Sequence, residues 1–241
     1  MSKISFENYQ RAAEILDDNI EVAGRYSFQK EAERRILFDL LEKLDIKVTD
    51  SLLEIGCGPG NLLVPLSGFC SKVAGIDNEA AISRLKNRMP KDIELSCLIG
   101  NFLDMNLPNE SFNKILIYSV LQYLSNQSEV LNFVERALSI LNPGGRMLLG
   151  DLPNSSKKSR FINSKTGQDV SIIWNKMTKD AERIPNEKMQ DDTDLVTFDD
   201  SLVFELMAFI RDKGFEAFLL SQPLELPFGG TREDILIVAH R

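Results

Sequence analysis

The first fifty residues place apolar side chains three and four apart, which is the spacing of one helix face. QKEAERRILFDLLEKL is the clearest case, with Ala32, Ile36, Leu37, Leu40, Leu41 and Leu44 along one side. From residue 51 the pattern changes to short apolar runs separated by helix-like segments. SLLEIG, KVAGID, IELSCLI, KILIYS and RMLLGD read as strands, and the segments near 60–69, 79–89 and 126–141 as the helices between them. Runs that are apolar at consecutive positions predict strands covered on both faces. The expected fold is therefore α/β, a doubly wound and mostly parallel sheet with helices on both sides.

After Asp151 this rhythm stops. Residues 152–199 are polar, rich in Lys, Asp, Asn and Ser, and hold the single tryptophan, Trp174. A stretch of that length without a period is expected to be a lid or a disordered insertion. Regularity returns with a helix over about 200–212, the run FEAFLLS, a loop with Pro223, Pro227 and the Gly229–Gly230 pair, and the run DILIVAH. Two runs joined without a helix predict an antiparallel pair at the far end of a seven-stranded sheet. The expected organisation is a helical cap at 1–50, a core at 51–151, an insertion at 152–199, and the rest of the same sheet at 200–241.

Composition acts mainly by exclusion. The 241 residues are 43% hydrophobic and 27% charged, as in an ordinary globular protein. No apolar run approaches the ~20 residues of a membrane helix, and the polar start MSKISFENYQ lacks a secretory apolar segment. Cys57, Cys70 and Cys97 have neither disulfide nor metal-ligand spacing. A cytoplasmic protein without a metal or a membrane partner is expected. The net charge of −8 argues against a broad nucleic-acid surface.

The chemistry concentrates in LLEIGCGPG. A strand that ends in a glycine-rich turn before a helix brings backbone N–H groups close to a ligand. The spacing is GxGxG, at Gly56, Gly58 and Gly60, with Asn61 where the dinucleotide-binding GxGxxG pattern has its third glycine. An acid, Glu54, lies inside the motif. A carboxylate there repels a pyrophosphate but suits an ammonium group, such as that of S-adenosylmethionine. Asp77, seventeen residues after Gly60, ends the second strand, where it can accept both hydroxyls of a ribose.

LLEIGCGPG, VAGID, IGNFLDMNLP, SFNKILIYSVLQYL and LNPGGRMLLGD, in that order, resemble the class I S-adenosylmethionine-dependent methyltransferases over residues 51–151 and, more loosely, to residue 241. The resemblance implies a seven-stranded sheet with its last strand antiparallel, and S-adenosyl-L-methionine as cofactor. It places Gly56, Cys57, Gly58 and Gly60 along the methionine part, with Glu54 near the amino group. Asp77 would hold the ribose with Asn78 beside it, and Asn101 and Phe102 would meet the adenine. The Ile117 backbone and Tyr118 would flank the methionine end. The family commonly has Gly-Asp where this chain has Gly100–Asn101; the amide oxygen of Asn101 still accepts from an adenine amino group. GDLPN followed by KKSRF is similar to methyltransferase-like proteins found among bacterial surface-glycan and nucleotide-sugar genes.

Methyl transfer from a sulfonium needs the acceptor positioned and, for a hydroxyl, a proton removed. Position nominates Asp151 as base, with Tyr118 and Tyr123 beside it. Each also has a plainer role, Asp151 as a loop anchor and the tyrosines as pocket wall. His240, the only histidine, lies one residue from the end of the sequence and away from these segments. Lys157, Lys158, Arg160 and Lys165 form a basic cluster after the fifth strand, suited to an anionic acceptor or to solvent. Tyr9, Arg25 and Tyr26 suggest that residues 1–30 join 152–199 as a lid, and Trp174 caps the acceptor or anchors its own loop. The expectation is O-methylation of a small polar acceptor, a sugar or nucleotide-linked sugar, by a monomer or homodimer. Alternatives are N- or C-methylation, a non-catalytic cofactor-binding scaffold, and, disfavoured by the glycine spacing, an NAD-dependent oxidoreductase.

Overall fold

The structure is a computed structural model, and it describes residues 1–109, 111–179 and 194–241. Seven strands form one sheet: β1 (Ser51–Ile55), β2 (Lys72–Asp77), β3 (Leu95–Ile99), β4 (Phe112–Tyr118), β5 (Leu141–Pro153), β6 (Glu216–Ser221) and β7 (Arg232–Val238). Their order is β3-β2-β1-β4-β5-β7-β6. β7 slots between β5 and β6, antiparallel to both, and the other neighbours are parallel. The sheet expected from the apolar runs is the one observed.

Alternate side chains of the central strands face opposite sides, so each apolar run serves two cores. Leu52, Leu116 and Leu148 point to the side covered by α3 (Lys30–Leu44), α4 (Leu63–Leu66) and α5 (Glu79–Arg88). Leu53, Ile115, Ile117, Met147 and Leu149 point to the side covered by α6 (Gln127–Ser139) and α9 (Asp200–Asp212). In α3 the expected stripe is real: Ile36, Leu40 and Leu44 are fully buried, with Leu37 and Leu41 packed beside them. Because β1 connects to β2 on one side and pairs with β4 on the other, chain direction splits at its carboxyl end. That split leaves a crevice there.

Two local readings are corrected. The insertion is not irregular over its described part: α7 (Ser155–Ile162) and α8 (Lys165–Lys179) occupy it, and residues 180–193 lie outside the described residues. The Asn154 side chain starts α7 by accepting from Lys157 N–H at 2.9 Å. The helix near 60–69 shortens to α4 and a 3₁₀ turn at Ser67–Phe69. Two further helices, α1 (Lys3–Ile15) and the short α2 (Asn19–Val22), precede α3, and α1 packs on α5. Among the described residues no helix is long and apolar enough to cross a membrane.

Candidate active site

β1 runs into the turn Gly56–Gly60, which is fastened to β2. The N–H groups of Gly56 and Cys57 both donate to the Ile76 carbonyl, at 2.9 and 3.2 Å. Gly56 and Gly58 take left-handed backbone conformations (φ 79° and 51°) for different ends. A Cβ on Gly56 would lie 2.4 Å from Val120 Cγ2, whereas one on Gly58 would meet no atom within 4 Å. Gly56 answers to packing, while Gly58 borders open space. Gly58→Ala should cost about 1–2 kcal/mol of backbone strain. Gly56→Ala should add about 1–3 kcal/mol of overpacking. Thermal melts should therefore rank Gly56→Ala several degrees below Gly58→Ala, and the reverse order would contradict this account.

The crevice over the turn is lined by Glu54, Cys57, Gly58, Asp77 and Tyr118, with Arg25, Glu33, Ser119 and Tyr123 completing its walls. Asp77 Oδ2 accepts from Gly58 N–H (2.7 Å), and its Oδ1 accepts from Asn78 N–H (2.7 Å) and Asn78 Nδ2 (2.8 Å). Burial raises the Asp77 pKa and these three bonds oppose the rise. Glu54 is 2% exposed, and its Oε2 has no hydrogen-bond partner. Burial, then the nearby Asp77 charge, push the Glu54 pKa well above the usual carboxylate range. An oxygen buried there without a partner is left to bond with a ligand that reaches the glycine turn. Burial likewise raises the Cys57 thiol, so it fills space without being a reactive thiolate.

The free space in the crevice is only about 80 Å³, far below the ~300–1,000 Å³ of ligand pockets. The cause is the N-terminal segment. Ser2 N–H donates to the Tyr123 carbonyl at 2.7 Å, and Tyr9 Oη donates to Tyr123 Oη at 2.6 Å. Met1 lines both the crevice and an adjoining recess formed by Gly100, Asn101, Phe102, Phe133 and Ile76. Met1 and Tyr9 thus narrow the crevice.

At the other end of the crevice are two strained residues, Ser119 (φ 59°) just after β4 and Asp151 (φ 58°) in β5. Asp151 was expected at the end of its strand. It sits instead in a bulge inside β5, and pairing with β7 resumes at Leu152↔Glu233. Asp234 holds the bulge, its Oδ1 accepting from Asp151 N–H at 2.9 Å. Arg25 Nη2 donates to Asp151 Oδ2 and to Ser119 Oγ, both at 2.8 Å, and Ser119 Oγ in turn donates to Asp151 Oδ2. Burial pulls the Arg25 pKa down, but the Asp151 carboxylate more than reverses this, and the guanidinium stays charged.

Sequence-nominated residues thus divide. Glu54, Gly56, Cys57, Gly58, Asp77 and Tyr118 meet on one crevice. Asn101 and Phe102 line the adjoining recess, although Asn101 Oδ1 already accepts from Leu103 N–H at 3.4 Å and the Phe102 ring packs on Phe133. Gly60, Asn78 and Ile117 lie outside both linings; the Asn78 side chain caps α5, and Ile117 is fully buried in the sheet. Asp151 is also off the linings, 0% exposed and turned to Arg25. The Tyr118 hydroxyl is buried against Gln222 Nε2 (3.2 Å), and burial, then Asp151 and Asp234, raise its pKa well above 10, so it stays protonated. His240 is exposed beside Glu216. The basic cluster is partly spent: Lys157 pairs with Glu233 (3.7 Å) and Arg160 with Asp200 (2.5 Å).

Sequence reasoning missed two polar lining residues, Ser119 and, on α3, Glu33. Glu33 accepts from Asn61 Nδ2 at 2.7 Å and keeps Oε2 without a partner. Burial raises its pKa against the pull of Asn61 and Arg25. Its signal was available: Glu33 precedes Leu40 by two turns on the buried face of α3, where a carboxylate is out of place.

Residues 53–149 match the family model described as a methyltransferase domain. The chain is 28% identical over 143 residues to nodulation protein S of Rhizobium tropici, covering 59% of this chain and 58% of that protein. It is 30% identical over 127 residues to a ubiquinone biosynthesis O-methyltransferase of Bradyrhizobium sp. (strain ORS 278), covering 51% and 47%. The chain thus spans about half the length of these curated relatives. Among solved structures, phosphoethanolamine N-methyltransferase 1 of Haemonchus contortus, in complex with phosphoethanolamine and S-adenosylhomocysteine, superposes with a TM-score of 0.71 over 97% of this chain and 48% of that one. At 17% identity that likeness concerns the fold.

Proposed function

We propose that this chain, whose residues 53–149 match the methyltransferase-domain model, is a class I methyltransferase that binds S-adenosylmethionine in the crevice after β1 and methylates a small polar acceptor. The observation that carries this reading is the partnerless Glu54 Oε2 beside a glycine turn whose next strand ends in Asp77. In it Glu54 takes the ammonium group, and Asp77, with Asn78 beside it, takes the ribose hydroxyls. Gly56, Cys57, Gly58 and Gly60 follow the methionine part, and Asn101 and Phe102 the adenine. Tyr118 and the Ile117 backbone border the reacting end. The bound cofactor supplies an electrophilic methyl group on a sulfonium, so the protein has chiefly to orient an acceptor and keep water out.

The side chains at the reacting end suit positioning better than proton abstraction. Tyr118 holds its proton and Asp151 is committed to Arg25. Asp151 is then a positioning residue, acting through Arg25 and Ser119. O-methylation of a sugar or nucleotide-linked sugar is the first reading, supported by the cations beyond Asp151. N-methylation is the second, supported by Glu33, whose partnerless oxygen on the crevice wall suits a protonated amine.

Calorimetry with S-adenosylmethionine, S-adenosylhomocysteine and NAD tests the cofactor. The first two should bind and NAD should not; the opposite pattern would end the reading. Turnover of S-adenosylmethionine with metabolite pools then separates an enzyme from a binding scaffold. The Glu54 assignment has its own test. With its pKa raised in the empty protein, Glu54 must lose a proton to meet an ammonium group, so affinity should rise as pH rises through that pKa. Titrations in buffers of different ionisation enthalpy should show proton release, and Glu54→Gln should reduce it. Unchanged release would move the ammonium elsewhere.

A further inference from the structure

A second cavity, of about 730 Å³, lies behind the Arg25–Asp151 pair, within the range of ligand pockets. We propose that this chamber holds the body of the acceptor, and that the acceptor combines a flat unsaturated ring with an anionic group. The inference rests on the methyl-transfer reading for the acceptor's role, while the binding it describes is tested separately.

The two cavities share a wall. The start of α3 contributes Gln29 and Ala32 to the chamber and Glu33 and Ile36 to the crevice. Arg25 lines the crevice, Arg232 lines the chamber, and both pair with Asp151, at 2.8 and 3.7 Å. The guanidinium groups of Arg25 and Arg232 also lie over the Phe228 ring, 5.3 and 5.2 Å from its centroid. Phe228 itself has φ 61° and is followed by Gly229 and Gly230. A molecule in the chamber therefore sits one side-chain layer from the reacting end.

The ring half of the proposal comes from Trp174. Its ring meets Tyr26, Phe28 and Phe228 at centroid distances of 5.6, 5.5 and 5.2 Å, and Tyr26 stacks on Phe28 at 5.0 Å. α8, which carries Trp174, buries only Gly167. α8 packs on α7 at Gly167 and holds this aromatic group over the chamber. Tilted and edge-on rings around one indole form walls suited to a planar guest.

The anionic half comes from Arg232. One carboxylate, Asp151, serves two guanidinium groups, and Arg232 Nε and Nη1 are buried without a hydrogen-bond acceptor. Lys158 also lines the chamber, where Glu225 is the one acid among the described lining residues. Buried donors left without acceptors favour a site that imports an anion. Arg presents the planar fork that carboxylate and phosphate groups match.

Trp174 is the only tryptophan, so intrinsic fluorescence reports on the chamber directly. The probes are uridine 5′-monophosphate and 4-hydroxyphenylacetate, each with ring and anion, against uridine, which lacks the anion, and ribose 5-phosphate, which lacks the ring. At least one ring-and-anion probe should change Trp174 emission and bind at least ten-fold more tightly than uridine and ribose 5-phosphate. Arg232→Gln should remove most of that advantage, and Lys158→Gln, at an exposed position, part of it. Neither should alter S-adenosylhomocysteine binding measured by calorimetry. If Arg232→Gln fails to fold, Lys158→Gln alone decides. No emission change with any probe, equal affinity for all four, or indifference to the substitutions would overturn the proposal. Absence of S-adenosylhomocysteine binding to the unaltered protein would instead remove the methyl-transfer reading, whatever the probes do.

Discussion

Asp77→Ala should weaken S-adenosylhomocysteine binding by about 100-fold or more, read by calorimetry. A hydrogen bond to a charged group is worth about 1.5–3 kcal/mol. Two ribose hydroxyls on one carboxylate therefore amount to at least ~3 kcal/mol, and each 1.4 kcal/mol is about ten-fold in affinity. The carboxylate is already occupied. It accepts three bonds, from Gly58 N–H, Asn78 N–H and Asn78 Nδ2, out of the roughly four sites two oxygens offer. A ribose that contributes two donors must displace one of these. The Asn78 Nδ2 bond is the free one to yield, since the two backbone donors hold the turn and the start of α5. Asp77→Asn should fall between the unaltered protein and Asp77→Ala, because it keeps one acceptor oxygen but loses the charge and turns an amide N–H toward backbone donors. Affinity within about three-fold of the unaltered protein in Asp77→Ala would mean that the ribose, or the whole cofactor, binds elsewhere.

The sheet was legible because its central strands are buried on both faces, which only consecutive apolar residues can satisfy. The glycine turn, Glu54 and Asp77 were legible together because each lies at the end of such a run. What escaped depends on partners far away in the chain. GDLP reads as a strand running into a turn, yet β5 continues to Pro153 because Asp234, 83 residues on, accepts the Asp151 N–H. The role of Asp151 is set by Arg25, 126 residues earlier. Arg160 looked available to a ligand until Asp200, 40 residues later, was seen to hold it. α7 and α8 were missed for another reason. In α8, Val170, Ile173, Trp174 and Met177 do recur at i, i+3, i+4 and i+7, but that short period lies inside a stretch whose polar composition reads as a loop.

Arg25→Met should be the most destabilising substitution outside the hydrophobic core. The Arg25 and Asp151 side chains are 7% and 0% exposed, and removing one partner of a buried pair costs about 3–5 kcal/mol because a buried charge is left behind. In a domain of this size that corresponds to a melting-temperature drop of roughly 10 °C. Arg232 offers Asp151 partial relief from 3.7 Å, and the backbone strain at Asp151 and Ser119 works the other way. The double variant Arg25→Met with Asp151→Asn removes the stranded charge and should recover a good part of the loss, giving a coupling energy of about 1 kcal/mol or more. Arg25 also joins the segment between α2 and α3 to the ends of β4 and β5 through its bonds to Ser119 and Asp151. Hydrogen exchange in residues 1–30 should therefore accelerate in Arg25→Met even at temperatures where the sheet stays protected. A melt within about 2 °C of the unaltered protein, with exchange unchanged, would show that the pair neither holds the fold nor fastens the segment that narrows the crevice.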